Sequence, residues 1–186
     1  VTDAFLVPTM LKRILDEDFS GRDLSSVRLI RYGAAPMPEK VLLRALDRFP
    51  AGVDFMGAYG LTETTSTVAV LGPEDHGPEA LAHEVGRQRL TSVGRVLDDV
   101  EIEIRDDDER ALPVGAVGRV CLRTGRGMVG YAQAGAGGDL AAASWFETGD
   151  LGYLDDEGYL FLVGRAGDMI IRGGENIAPQ EVEEVL

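Results

Sequence analysis

Five consecutive residues, Tyr-Gly-Leu-Thr-Glu at positions 59–63, combine side chains that suit the binding of a nucleotide and a divalent cation. An aromatic ring can stack on a base, and a glycine lets the backbone approach a ligand closely. A hydroxyl can donate a hydrogen bond to a phosphate oxygen, and a carboxylate is a hard ligand of the kind that Mg²⁺ prefers. An ordinary turn from a strand into a helix, with Thr62 as the cap, would produce the same pentapeptide. The motif alone is therefore only moderately specific.

Two other sequences place this pentapeptide in a wider pattern. They are Thr-Gly-Asp at positions 148–150 and GRAGDMIIRGGENIAPQEVE at positions 164–183. In this order, the three sequences resemble the adenylate-forming superfamily of acyl-CoA synthetases, nonribosomal peptide adenylation domains and luciferases. The resemblance implies an enzyme that joins a carboxylic acid to the α-phosphate of ATP, releases pyrophosphate and passes the acyl group to a thiol. ATP, Mg²⁺ and CoA are the implied cofactors and co-substrates.

The resemblance assigns a role to individual residues of the motifs. Tyr59 would pack on adenine, and Thr62 would contact the α-phosphate. Thr62 and Glu63 would be catalytic, with Glu63 as the Mg²⁺ ligand. Asp150 would accept hydrogen bonds from both ribose hydroxyls, beside Arg165. The complete set implied for nucleotide binding is Gly33, Ala34, Ala35, Pro36, Ala58, Tyr59, Gly60, Thr62, Asp150 and Arg165. A plain turn before the next helix explains residues 33–36 equally well.

Three further assignments concern the acid and the acceptor. By the same resemblance, the small residues Ala34, Ala58 and Gly60 border the acyl pocket and imply a fatty or bulky apolar acid. Gly167 occupies the hinge position, where the family usually has Asp or Lys. Gly174 would lie against the pantetheine arm of CoA. Leucine after Tyr59-Gly60 favours acyl-CoA synthetases over peptide-synthetase adenylation domains, which usually carry proline there.

The resemblance also implies a division of the chain. We expect an α/β fold in which residues 1–90 form part of the large AMP-binding domain and residues 91–164 form a β-rich, barrel-like subdomain. Residues 165–186 would be the hinge and the start of the small C-terminal domain. The lysine-bearing phosphate loop and the terminal catalytic lysine of the family have no counterpart in the sequence. The chain is therefore expected to be an internal segment that needs the rest of its protein for activity.

Two other functions stay open at this point. The chain could be a noncatalytic nucleotide-binding or assembly module, or part of an adenylation domain that loads a carrier-protein thiol. A dinucleotide site is also suggested by Gly-x-Gly-x-x-Gly at positions 125–130, with Asp150 further on. That fingerprint normally opens a helix, whereas residues 131–135 have little amphipathic character. We interpret this stretch as a loop.

The hydrophobic pattern predicts alternating helices and strands in the first half of the chain and mostly strands afterwards. Helices are predicted over residues 8–17 and 38–49, with a further helix beginning at Pro179. Strands are predicted over residues 27–32, 53–56, 100–104, 117–122, 152–154 and 159–163. Turns are predicted over residues 57–60, 106–109 and 155–158. A loop or a boundary is predicted over residues 72–90, and a surface loop or a frayed helix over residues 132–143.

Composition limits the classes of partner. The net charge is −14, from 32 acidic and 18 basic residues, which argues against nucleic acid or an anionic membrane as the main partner. No apolar run is long enough for a membrane span and no signal peptide is evident, so a cytoplasmic location is expected. The single cysteine, Cys121, is predicted to be a buried, inert thiol. His76 and His83 are predicted to be solvated loop residues, and the carboxylates of residues 106–109 a solvated turn and not a metal site.

Overall fold

The computed structural model describes residues 1–19, 21–128, 144–168, 170–172 and 175–177, together with Pro179 and Val182. The chain forms two compact units. The first consists of Val1–Tyr59 and Ala69–Gly94, and the second of Gly60–Val68 and Arg95–Leu186. The short segment that carries Thr62 and Glu63 therefore belongs to the second unit, although residues of the first unit flank it in sequence.

Parallel strands and connecting helices begin the first unit. The elements, in chain order, are β1 (Asp3–Leu6), α1 (Pro8–Asp16), β2 (Leu29–Gly33), α2 (Glu39–Arg48) and β3 (Asp54–Leu61). Strand β2 pairs in parallel with both β1 and β3. Helix α1 starts with proline, whose missing N–H is not needed there, and it buries Leu11 and Leu15. The predicted α/β arrangement and both predicted helices are confirmed for this unit.

Strand β3 is longer than the sequence predicts. A turn was expected over residues 57–60, but these residues continue the strand as far as Leu61. The reason is the parallel ladder, in which Gly57 lies opposite Tyr32 and Ala58 opposite Gly33. Ladder hydrogen bonds outweigh the low strand propensity of glycine at these positions. The sheet has the order β1-β2-β3-β4-β5, with β4 at Ser66–Leu71 and β5 at Arg95–Val96.

The region predicted as a loop or a boundary over residues 72–90 contains three short helices, so the prediction of a loop is wrong. They are α3 (Pro73–His76), α4 (Pro78–Leu81) and α5 (Glu84–Arg89). Two of them begin with proline, which is compatible with the first helical position.

The side chain of His76 is buried, which corrects the prediction of a solvated residue, whereas His83 is exposed as predicted. His76 Nδ1 lies 2.7 Å from the carbonyl oxygen of Gly72, which can only accept, so Nδ1 carries the proton. In the neutral ring Nε2 then accepts a hydrogen bond of 2.8 Å from the Tyr32 hydroxyl. The composition of residues 72–90 gave no sign of this contact, because its partner lies on β2.

Antiparallel strands dominate the second unit. A four-stranded sheet has the order β6 (Val100–Arg105), β7 (Gly118–Thr124), β8 (Phe146–Leu154) and β9 (Leu160–Arg165). A separate antiparallel pair follows, formed by β10 (Ile170–Arg172) and β11 (Glu175–Ile177). The predicted strands over residues 100–104, 117–122 and 159–163 are confirmed. Cys121 is buried in β7 as predicted, and burial raises the pKa of its thiol.

Turn carboxylates in this unit have structural partners. Asp106 Oδ1 accepts hydrogen bonds from the amides of Asp108 and Arg110, both at 2.9 Å. Within the described ranges, no group of three or more His, Cys, Asp or Glu side chains is arranged to hold a metal ion. In the same ranges, no helix is long and apolar enough to cross a membrane. The loop predicted over residues 132–143 lies outside the described residues, as does most of the helix predicted from Pro179.

The buried imidazole predicts a dependence of stability on pH. Burial lowers the pKa of His76 below its ordinary value of 6.5, against the opposing effects of the Gly72 carbonyl and Asp75. The unfolded chain therefore binds a proton more readily than the folded chain below about pH 6.5. As the pH is lowered below about 6.5, the free energy of unfolding should fall by up to about 1.4 kcal/mol per pH unit. Denaturant unfolding between about pH 7 and pH 5 measures this slope.

The matched control uses the exposed histidine. A His76→Gln variant should lose this part of the pH dependence, and a His83→Gln variant should keep it. An equal slope in the original chain and in His76→Gln would contradict the assignment.

Candidate functional site

A 3₁₀ turn at Thr62–Thr64 presents the two residues of greatest chemical interest. Its hydrogen bonds come from Thr64, whose side chain is almost completely buried. The Thr64 hydroxyl accepts from the amide of Leu61 at 3.1 Å and lies 2.9 Å from the carbonyl oxygens of Leu61 and Ser66. With the turn held in this way, Thr62 is exposed and Glu63 half-buried. Thr62 is not the cap of an α-helix, because strand β3 is followed by this 3₁₀ turn and then by strand β4.

The backbone after this turn is strained. Thr65 and Ser66 have φ angles of 53° and 95°, in the left-handed region that residues with side chains rarely adopt. Ala34 has a φ angle of 66°, and the fourth non-glycine residue of this kind in the described ranges is Glu109. Three of the four therefore lie in or next to segments that the sequence assigned to nucleotide binding. Strain of this kind persists where surrounding contacts hold it, and it is concentrated at functional sites.

The residues assigned to adenine lie at the carboxyl ends of two parallel strands in the first unit. Gly33 ends β2 and lies opposite Ala58 of β3, and Tyr59 follows in the same strand. Ala34, Ala35 and Pro36 continue from β2 and are exposed. The structure therefore brings Gly33 and Ala58 together and places Tyr59 next to them. Ligands of α/β proteins commonly bind at this end of a parallel sheet.

Gly60 has a packing reason for its lack of a side chain. A Cβ atom at this position would lie 1.9 Å from the carbonyl oxygen of Ser66. Glycine at position 60 therefore permits the close approach of the Ser66 backbone. The sequence had suggested that Gly60 borders a ligand, and the structure supplies a second explanation that does not involve one.

Asp150 and Arg165 form an ion pair across two neighbouring strands of the second unit. They lie opposite each other in the β8–β9 ladder, and Arg165 Nε is 3.1 Å from Asp150 Oδ1. The Asp150 side chain is only 9% exposed, whereas that of Arg165 is 59% exposed. A carboxylate shielded from water needs a charged or hydrogen-bonding partner, and Arg165 is one. The structure thus joins two residues that the sequence had paired only through the family resemblance.

The backbone before Asp150 is fixed by Thr148. The buried Thr148 hydroxyl donates to the carbonyl oxygen of Val120 at 3.0 Å and accepts from the amide of Asp150 at 3.0 Å. Gly149 lies between them with a φ angle of 80°, which a residue with a side chain would adopt only with strain. Its carbonyl accepts from the amide of Ala166 at 3.0 Å, next to Arg165. Each residue of the Thr-Gly-Asp sequence therefore contributes to the position of the carboxylate.

The surroundings of Glu63 suit a magnesium ion bound together with phosphates. Mg²⁺ in nucleotide enzymes is usually held by one or two carboxylates, substrate phosphates and water. A single carboxylate at this turn fits that donor set. Glu63 also lines a cavity of about 20 Å³ with Thr64 and Gly127. A cavity of that size holds about one water molecule.

The remaining predicted positions are less informative. Gly167 lies in an exposed turn after β9, and the hydrogen bond from the Asp168 amide to the Arg165 carbonyl closes this turn at 3.0 Å. Gly174 lies outside the described residues. The structure also reveals a functional candidate that the sequence did not, because the guanidinium of Arg126 contacts both Asp99 and the carbonyl of Thr67. An arginine between glycines in the false dinucleotide fingerprint was the only sign of it in the sequence.

Comparison with known proteins identifies the family. A family model for the AMP-binding enzyme matches residues 1–132. Among curated proteins, a fatty acid–[acyl-carrier-protein] ligase from Streptomyces coeruleorubidus is 36% identical over 188 residues. The alignment covers 100% of this chain and 34% of that protein, so the chain spans about a third of the length of the curated relative.

Two solved structures are similar to the chain along nearly its whole length. Amide bond synthetase McbA from Marinactinospora thermotolerans is 36% identical with a TM-score of 0.79, covering 98% of this chain and 36% of McbA. O-succinylbenzoate coenzyme A synthetase from Bacillus subtilis, in complex with ATP and magnesium ion, is 34% identical with a TM-score of 0.77, covering 100% of this chain and 36% of that protein. The predicted resemblance is confirmed, and the chain belongs to the family of AMP-binding enzymes.

Proposed function

We propose that the protein containing this chain activates a carboxylic acid with ATP and transfers the acyl group from the acyl-adenylate to CoA. The observation that carries the proposal is the Asp150–Arg165 pair. The Asp150 carboxylate, in the middle of β8, is held by an arginine on the neighbouring strand, and the backbone at Asp150 is held by the Thr148 hydroxyl. This arrangement offers a charged acceptor with a fixed direction, which suits a pair of ribose hydroxyls.

The residues of the first unit would bind the base. The exposed backbone of residues 34–36 would lie along one face of adenine, and the ring of Tyr59 would stack on it. The left-handed backbone of Ala34 supports this role, because the conformation turns the chain sharply directly after β2. Gly33 and Ala58 would form the floor, since they lie opposite each other in the ladder.

Thr62 and Glu63 would act on the phosphates. The exposed Thr62 hydroxyl would donate to an oxygen of the α-phosphate, where negative charge develops as the acid attacks. Glu63 would hold Mg²⁺, which when bound neutralises charge on the phosphate oxygens. The hydrogen bonds of Thr64 keep both residues in place before the substrate arrives. Such preorganisation lowers the cost of aligning the reacting groups.

The nature of the acid is a finer proposal. Ala34, Ala58 and Gly60 would border the acyl pocket, and none offers a charge to a second carboxylate, so we propose a fatty or bulky apolar acid. One relative is named as a fatty acid ligase, in keeping with this proposal. Another similar protein is named for o-succinylbenzoate, which is a different kind of acid.

The acceptor is proposed to be CoA, with Gly167 as the hinge and Gly174 beside the pantetheine arm. The name of the Streptomyces relative favours a second candidate, a carrier-protein thiol. Supplying the full-length protein with ATP, a panel of fatty and aromatic acids, and either CoA or a phosphopantetheinylated carrier protein separates the two. Acid-dependent pyrophosphate exchange without transfer to either thiol would contradict both, and no exchange at all would favour a noncatalytic nucleotide-binding module.

The proposed place of the chain in its protein follows from the same resemblance. Residues 1–90 would form the rear α/β part of the large domain, and residues 91–164 would form the barrel-like subdomain. Residues 165–186 would be the hinge and the beginning of the mobile C-terminal domain.

Replacement of Asp150 by Ala should weaken nucleotide binding specifically. In the full-length protein, the Michaelis constant for ATP should rise roughly ten- to a hundredfold, as expected for the loss of charge-assisted hydrogen bonds. The Michaelis constant for the acid should stay unchanged. The fold should tolerate the change, because Arg165 is largely exposed and water can take the place of the lost carboxylate. Steady-state pyrophosphate exchange at varied ATP concentration measures the effect.

The control for this experiment is Asp156→Ala, which removes an exposed carboxylate at the tip of the β8–β9 hairpin. Its ATP kinetics should match those of the original protein. Unchanged ATP kinetics in a folded Asp150→Ala variant would rule out the ribose assignment.

The chain by itself is expected to bind nucleotide weakly and not to catalyse adenylation. Departure of pyrophosphate develops negative charge that needs fixed cations and backbone donors, and loss of one such donor commonly costs a hundredfold or more in rate. We propose that these groups come from the two-thirds of the family's length that the chain does not span. Radiolabelled ATP–pyrophosphate exchange compares the chain with the full-length protein. Robust acid-dependent exchange by the chain would show that the catalytic groups have been misplaced.

A further inference from the structure

The Gly-Arg-Gly sequence at residues 125–127, which resembles a dinucleotide fingerprint, holds the backbone around Glu63. It follows β7 as a turn. Together with the next residue, Met128, its backbone makes two hydrogen bonds to the segment Gly60–Val68. The amide of Met128 donates to the carbonyl oxygen of Glu63 at 2.8 Å. The hydroxyl of Thr65 donates to the carbonyl oxygen of Arg126 at 2.5 Å. The turn after β7 is thus attached directly to the candidate Mg²⁺ ligand and to the strained residue after it.

The side chain of Arg126 makes a third attachment to the same segment. Its Nη2 atom donates to the carbonyl oxygen of Thr67 at 3.1 Å. Together with the bonds at Glu63 and Thr65, this contact means that the Arg126 turn holds the segment on both sides of Ser66. Strained backbone persists only when several contacts determine it.

Asp99 fixes the guanidinium in this position. Arg126 Nε and Nη2 lie 2.6 Å and 3.1 Å from the two carboxylate oxygens of Asp99, which is a bidentate pair. The hydrogen bond from Arg126 lowers the pKa of the Asp99 carboxyl, so the carboxylate stays charged in mildly acidic solution. A lysine could not replace this arginine, because an ammonium group lacks the planar fork that contacts two oxygens and a carbonyl together.

We propose that Arg126 is a positioning residue for the Mg²⁺ ligand Glu63, and that Asp99 orients Arg126 for this task. The proposal rests on the proposed function, in which Glu63 holds the Mg²⁺ that accompanies ATP. Arg126 touches neither the nucleotide nor the ion in this account. It acts through the backbone of residues 63–67, so its loss should change the affinity for Mg²⁺ and leave the later transfer to the thiol intact.

The test measures the backbone and the metal requirement separately, in the full-length protein. Amide hydrogen exchange followed by mass spectrometry reports on the peptide that covers residues 60–68. In Arg126→Ala this peptide should exchange about tenfold faster or more, as expected for the loss of a charge-assisted hydrogen bond. The Mg²⁺ concentration for half-maximal pyrophosphate exchange should rise roughly 10- to 100-fold, the usual effect of removing a group that orients a metal ligand.

Two quantities should not change in Arg126→Ala. The Michaelis constant for the acid should stay as in the original protein. The rate of thioester formation from a synthetic acyl-adenylate should also stay the same, since that reaction needs no ATP. Asp99→Asn should shift the hydrogen exchange and the Mg²⁺ requirement in the same direction by a smaller factor. The matched control is Arg123→Ala, which also breaks an arginine–carboxylate pair, here between Arg123 on β7 and Glu101 on β6. It should change neither the hydrogen exchange nor the Mg²⁺ requirement.

Each outcome decides the proposal. Unchanged hydrogen exchange of residues 60–68 in Arg126→Ala would show that Arg126 does not hold the turn. Faster exchange without a shift in the Mg²⁺ requirement, or an equal loss of thioester formation from the acyl-adenylate, would show a role in folding only. Absence of acid-dependent pyrophosphate exchange in the original protein would refute the proposed function, while the hydrogen exchange would still decide whether Arg126 positions the backbone.

Discussion

The left-handed backbone of Thr65 and Ser66 is the constraint on which the direction of the Glu63 carboxylate depends. Each residue with a side chain costs about 1–2 kcal/mol in this conformation, so the chain would relax without compensating contacts. The compensation is a set of hydrogen bonds whose partners lie on both sides of the strained pair. Thr64 fixes the turn from within, and the turn at Arg126 fixes it from outside. The backbone that carries Glu63 is therefore fixed by contacts on both sides of the strained pair.

The Asp150 carboxylate is held by a different device. The register of β8 and β9 places Arg165 opposite Asp150, and this placement comes from the backbone pairing of the two strands. The Thr148 hydroxyl adds two buried hydrogen bonds, one to the carbonyl oxygen of Val120 on β7 and one from the amide of Asp150. A sheet ladder is repetitive and rigid, whereas a turn needs specific contacts. The surroundings of Asp150 are therefore set mainly by strand pairing, whereas those of Glu63 are set by side-chain and turn contacts.

The same difference decides how much could be predicted from the sequence. Alternating apolar residues predicted the strands of the second unit, and helical spacing predicted α1 and α2, because these patterns are local. The turn expected over residues 57–60 was wrong, since pairing with β2 continues the strand through Gly57 to Ala58. The burial of His76 was missed because its partner, Tyr32, lies on another element. Arg126 and Asp99 could not have been paired from the sequence, because nothing local in either residue's surroundings indicates the other.

A small residue near a candidate pocket indicates something about the ligand only where the fold would also accept a larger side chain at that position. Gly60 does not meet that condition, because any side chain there would collide with the Ser66 carbonyl regardless of the acid that is bound. Ala34 meets it only in part, since its left-handed backbone already disfavours bulky or β-branched side chains. Ala58 is half-buried in a regular strand, and its φ angle is not in the left-handed region. Of the three residues proposed for the acyl pocket, Ala58 is therefore the one whose backbone conformation places no limit on the size of its side chain.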